Sequence, residues 1–179
     1  MPSLMPFPLE TIANDINRAI EAKLYYPALL VTLTIPEICS ALALDRTQFV
    51  KEKHYVSFVD SYTTEAELGI GGVDCYRLRG GVVHRADFRG HPHFDWTHVI
   101  FTTPESPTFH ALTSVVGEKS AAMLDIELFC QAMISGARRW YEDNKSNSKI
   151  EENMANLISL RPNGLSPFIV GTPVVASGQ

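Results

Sequence analysis

The stretch CYRLRGGVVHRADFRGHPHFDWTH, residues 75–98, holds four of the six histidines and four of the nine arginines of this 179-residue chain. Histidine titrates near neutral pH and can move a proton, while arginine holds a phosphate bidentately and stabilises charge developing on it. Arg79 and His84 stand five positions apart, with Arg77, Arg85 and Asp74 beside them as candidate substrate contacts. Together these types suit proton transfer next to an anionic group. On a regular helix a five-residue step turns by about 140°, so the two side chains do not stack as i, i+4 neighbours do. Assembly of the site across a two-fold axis relieves this and predicts a homodimer with an isologous interface at this helix. A structural role competes with catalysis. A histidine near a helix end favours the dipole, and Arg79 can bind a neighbouring carboxylate such as Asp74 or Asp87. Arg85 and His91 stand six positions apart, a pairing of the same types, so the first pair gains its value from the helical context.

A second group of donors lies in HPHFDWTH, where His91, His93, Asp95 and His98 are types that zinc or another divalent metal accepts. Pro92 and the absence of a regular ligand spacing favour a solvated loop, and no metal is expected there. Cys75 lies one helical turn before Arg79, close enough for the guanidinium to lower its thiol pKa, but no base or acyl substrate is indicated for it. GIGG at residues 69–72 lacks the preceding buried strand of a nucleotide loop and reads as a turn leading into a helix. With no phosphate loop, dinucleotide fingerprint or hydrolase elbow, no cofactor is expected.

The elements that must position these residues are mostly helical. Leu9, Ile12, Ala13, Ile16, Ala19 and Ile20 recur at helical spacing and predict an amphipathic helix over 8–23, with Pro8 suited to its first turn. The apolar run 27–44 predicts a second helix, kinked at Pro36, and residues 46–62 a third. Residues 73–84 predict a fourth in spite of Gly80 and Gly81, whose small size would let another helix approach closely. Ile126, Phe129, Cys130, Met133, Ile134, Ala137, Trp140 and Tyr141 mark the clearest helix, 126–144, with Asp125 as N-cap and a staple of Leu124 and Phe129. Between the last two, THVIFTTPESPTFHALTSVVG predicts a short β-hairpin near 97–116. Residues 146–179 predict a final helix and then a Pro- and Gly-punctuated tail, extended over the core or partly disordered.

The length fits one domain, which buries roughly two-thirds of its unfolded surface. Apolar content of 45% with 20% charged residues is that of a soluble globular chain. The net charge of −5 argues against broad coating of nucleic acid, although the stretch 75–98 is locally at +2. Cys39, Cys75 and Cys130 show no paired spacing, which points to a reducing cytoplasm. The N-terminus carries no signal-peptide pattern. Residues 25–44 are long enough to span a membrane, but Glu37 within them costs about 2.5 to 3.5 kcal/mol on insertion scales, so a buried core helix and no membrane contact are expected.

Four segments, TLTIPEICSAL, YVSFVDSYTTEAEL, GGVDCYRLRGGVVHRADFRG and MLDIELFCQAMISGARRWYEDN, resemble a group of small bacterial proteins that look like the HEPN superfamily, over roughly residues 9–145. The resemblance implies a mainly α fold, an HEPN-like helical bundle with a short β-hairpin insertion, dimeric and cytoplasmic. It also implies a metal-independent endoribonuclease in which Arg79 and His84, matching the family's Arg-x4-His motif, act at the RNA 2′-hydroxyl in a cleft between protomers. Gly80 stands where active members carry a polar residue. The second role it implies is a noncatalytic dimeric module binding RNA, a nucleotide or a protein.

Overall fold

The computed structural model describes residues 5–88 and 96–178. Its N-terminal half is a run of helices: α1 (Phe7–Glu21), α2 (Tyr25–Thr32), α3 (Ile35–Ala43), α4 (Glu52–Tyr62), α5 (Glu65–Leu68) and α6 (Gly72–Arg85). Three strands follow, β1 (His98–Thr102), β2 (Leu112–Val116) and β3 (Lys119–Asp125), and then the helices α7 (Ile126–Asn144) and α8 (Ser148–Met154). The chain is mainly α, as its periodicity predicts.

Helix α7 is the axis of the core. It buries Ile126, Phe129, Cys130, Met133, Ile134, Ala137 and Trp140, and α1 to α5 all pack on it. Its start is fixed as the sequence predicts: the Asp125 carboxylate accepts the Leu128 N–H at 3.0 Å, and Leu124 and Phe129 are both fully buried. Helix α1 lays Leu9, Ala13, Ile16 and Ile20 into the same core. Helix α6 is one layer further out. It rests on α4 and α2 with Cys75, Leu78, Gly81 and Val82 inward.

Several elements differ from the sequence expectations. The apolar run 27–44 is not one kinked helix but two, because the chain turns at Leu33 and Thr34, and Pro36 sits in the first turn of α3 where its missing N–H costs nothing. The stretch Tyr25–Ala43 has the length and mean hydropathy, 1.4, to cross a membrane; here Ala28, Leu29, Leu33, Ile35, Cys39 and Leu42 are buried in the protein core. The third predicted helix begins at Glu52 rather than at 46. Its first turn is closed by the Lys51 N–H donating to His54 Nδ1 at 3.1 Å.

The predicted hairpin near 97–116 is replaced by a three-stranded sheet of order β1-β3-β2, with β1 parallel and β2 antiparallel to β3. Pro104 and Pro107 keep β1 and β2 from joining through a tight turn, whereas Gly117 and Glu118 join β2 to β3. Strand β3, KSAAMLD, was hidden because alanine, methionine and leucine are helix formers. Beyond α8 the tail forms two short strand pairs: β4 (Ser159–Arg161) with β7 (Val174–Ala176), and β5 (Gly164–Leu165) with β6 (Ile169–Val170).

The glycines also sort differently. A Cβ at Gly80 would meet nothing within 4 Å, so no helix packs against it, although Gly81 is buried. The close approach is at Gly72, where a Cβ would lie 2.5 Å from Asp60 Oδ1 and 2.9 Å from the Val56 carbonyl oxygen on α4. The Asp60 carboxylate accepts the Gly72 N–H at 3.0 Å and so holds the start of α6. Gly72→Ala should therefore lower the free energy of unfolding by about 1 to 3 kcal/mol, the usual cost of forcing atoms into packed space. Gly80→Ala should raise it by roughly 0.5 to 1 kcal/mol through helix propensity alone. Urea melts of the two variants separate these outcomes.

Candidate functional site

The candidate residues all sit on or after α6, and the structure divides them. Arg79 points inward. Its Nη2 donates to Glu37 Oε2 on α3, leaving the arginine side chain 18% and the carboxylate 36% exposed. Arg79 Nε is buried and has no hydrogen-bond partner among the described residues. His84 lies in the last turn, exposed, with no hydrogen bond among the described residues, and Arg85 beside it is also exposed. Both favour the negative end of the helix dipole, the structural role weighed against catalysis. Within one chain, then, the arginine is occupied and the histidine is not beside it.

Arg77 and Asp74 are brought together, Nη1 to Oδ1 at 3.2 Å, one helical turn apart and mostly buried. Each thus neutralises the other. Neither Asp74 nor Asp87 is the carboxylate that meets Arg79; Glu37 is, from 42 positions earlier, and no local spacing could have found it. His98 stands exposed on β1 with Nδ1 2.9 Å from Thr97 Oγ1. His91, His93 and Asp95 lie outside the described residues, and so does Arg89. Among the described residues no cluster of three metal-ligating side chains occurs.

Beneath Arg79 lies an aromatic pair. The Tyr55 ring meets Tyr76 edge-on at 5.4 Å, and its phenol donates to the Leu33 carbonyl at 2.9 Å. Burial, first of all, pushes this phenol well above its ordinary pKa. The Tyr26 phenol donates to the Val82 carbonyl at 3.2 Å and so ties α2 to α6.

Cys75 does not behave as its spacing from Arg79 suggests. It is fully buried, and desolvation above all, with the nearby Asp74 and Asp60 charges, pushes its thiol well above the ordinary value. Burial likewise raises Cys39, and pushes Cys130 up to about 12. All three are buried core residues.

A polar cluster that the sequence did not reveal joins α5 to α7. Arg139 donates to the Tyr62 carbonyl through Nε at 2.8 Å and Nη2 at 2.6 Å, capping α4, and to both Glu67 carboxylate oxygens. Arg139 is the chief cause that holds the Glu67 carboxyl below its ordinary value. His110 Nδ1 accepts the Asp125 N–H at 3.1 Å, which leaves Nε2 to donate to the Glu67 carbonyl at 2.9 Å. The groove beside them, lined also by Leu128, Gln131 and Ser135, has a volume of about 320 Å³. Its charged groups already satisfy one another, and Glu67, His110 and Arg139 are too far apart in the chain for any motif to group them.

Compared with protein-family models, with curated proteins and with solved structures, the chain finds no match in any of the three. The site is therefore read from its geometry.

Removing Glu37 would leave the half-buried guanidinium of Arg79 without an acceptor, at a cost of about 1 to 3 kcal/mol. Glu37→Ala, which takes the acceptor away, should destabilise by that amount in chemical melts. Combined with Arg79→Met it should cost less than the two single changes added, since the double change removes both partners. The cysteines give a second expectation: no thiol of the native protein should react with a disulfide reagent at mildly alkaline pH, and all three should react once it is unfolded. Stoichiometric labelling of the native state would contradict the burial described.

Proposed function

We propose that this chain is an HEPN-like helical domain of the bacterial cytoplasm that works as a noncatalytic protein-binding module and not as a ribonuclease. The observation that carries this reading is the Glu37 carboxylate on Arg79. A ribonuclease needs that guanidinium for an RNA phosphate, and here an anion of the chain itself occupies it. His84, the proton carrier of the same scheme, is exposed on another side of the helix.

Charge supports a protein ligand over RNA. Arg18, Lys23, Arg138, Arg139, Lys145 and Lys149 each face a carboxylate of the chain, as Arg77 and Arg79 do. These eight of the fifteen lysines and arginines are drawn to the chain's own carboxylates, and the net charge of −5 opposes approach to a phosphate backbone. The exposed apolar side chains of the sheet and of the C-terminal strands, Leu112, Val116, Leu160 and Val170 among them, suit protein contact instead.

The deciding experiment incubates purified protein with mixed RNA in excess chelator, beside His84→Ala matched for folding by circular dichroism. Intact RNA in both reactions, with no retardation of RNA in a gel, is the expected outcome. Chelator-resistant cleavage by the wild type that disappears in His84→Ala would overturn the reading and restore the ribonuclease.

A further inference from the structure

Strand β2 forms one edge of the sheet, and its backbone geometry can be worked out from its turn. Gly117, at φ +61°, and Glu118 make a two-residue connection from Val116 to Lys119. In such a hairpin the residues flanking the turn exchange hydrogen bonds and the pattern then alternates. Val116, Ser114 and Leu112 therefore direct their N–H and C=O groups to β3, while Thr113 and Val115 direct theirs outward. Among the described residues these outward groups have no backbone partner. Natural edges are usually blunted by a charge, a proline or a bulge. LTSVV contains neither charge nor proline, and its register with β3 runs unbroken from Leu112 to Val116.

We propose that β2 pairs antiparallel with β2 of a second copy of this chain, about a two-fold axis through Ser114. The register follows from the outward groups. Centred on Ser114, Thr113 of each copy faces Val115 of the other, and every outward N–H and C=O finds a partner. A shift either way sets Val115 against Ala111, at φ +53°, or Thr113 against Gly117, at φ +61°, and neither backbone is extended there. Side chains agree with the same register. Leu112, 50% exposed, meets Val116 of the second copy, 75% exposed, and Val115, 68% exposed, meets its Thr113. Ser114 faces its own counterpart, so no charge enters the seam. Ile100 and Met123, on the same outer face as Leu112, continue the apolar surface across the joined sheets.

This inference rests on the reading of the chain as a protein-binding module and names the protein bound. Its test is the mass of the full chain by light scattering after size exclusion, across a concentration series. The wild type should pass from one chain mass, 19.9 kDa, to twice that value. Val115→Pro removes an outward donor and leaves the bonds to β3 intact; Leu112→Lys puts a charge at the seam from an exposed position. Each variant should weaken the dimer about tenfold or more while keeping the wild-type circular dichroism. In hydrogen exchange, the Thr113 and Val115 amides should gain protection only at concentrations where the dimer forms. A wild type that stays monomeric throughout, or a dimer that both variants leave unchanged, overturns the proposal. Loss of the dimer in Val73→Lys on α6 alone would place the interface on that helix and overturn it too. The two readings fail separately: RNA cleaved by a β2-linked dimer removes the binding module and keeps the edge, while intact RNA with a monomer does the reverse.

Discussion

At the turn between α2 and α3 the Leu33 carbonyl accepts a hydrogen bond from the buried phenol of Tyr55, and most of what surrounds the candidate site depends on that bond. It joins α4 to the point where the apolar run breaks in two. An unmet carbonyl at this depth would cost about 1 to 3 kcal/mol, which the tyrosine's hydrogen bond avoids. Beyond the break, Glu37 in the first turn of α3 meets Arg79 on α6 and bridges the two helices.

That relation governs the chemistry open to the molecule. A guanidinium mostly removed from water needs an anion, and whichever anion is nearest defines its role. With RNA the role would be catalytic; with Glu37 it is a bridge between α3 and α6. The same economy runs through the rest of the charged surface, where Arg139 divides its donors between the end of α4 and Glu67, and Arg77 turns to Asp74. Eight of the chain's fifteen lysines and arginines meet its own carboxylates, while apolar side chains of the sheet and of the C-terminal strands stand exposed.

The small sheet shows how a helical core carries such an edge. Parallel pairing of β1 with β3 needs a crossing of the chain rather than a hairpin, and β3 runs straight into α7 through Asp125, which ends the strand and caps the helix. The inner face of the sheet, Val99, Ala122 and Leu124, is buried against the helices. The other face and the two edge strands, β1 and β2, lie outside that buried layer.

Much of this was legible in the residues. Helices α1, α6 and α7 announce themselves because apolar side chains at i, i+3, i+4 and i+7 can bury together only on a helix, and Asp125 is readable as a cap because its carboxylate can reach an N–H three residues on. The burial of Cys39 and Cys130 follows from the same pattern. Strand β3 was not legible, since Ala121, Ala122, Met123 and Leu124 favour a helix until β1 and β2 supply hydrogen-bond partners on both sides. Nor was the division of residues 25–44, where the Leu33 carbonyl finds its partner in Tyr55 from another helix. The fate of Arg79 is the clearest case: its type and its place on α6 are properties of the local sequence, but its partner lies 42 residues away. Periodicity and capping act over one or two helical turns, so the sequence alone determined them; the choice of a buried charge's counter-ion is made by packing, and only the tertiary structure could decide it.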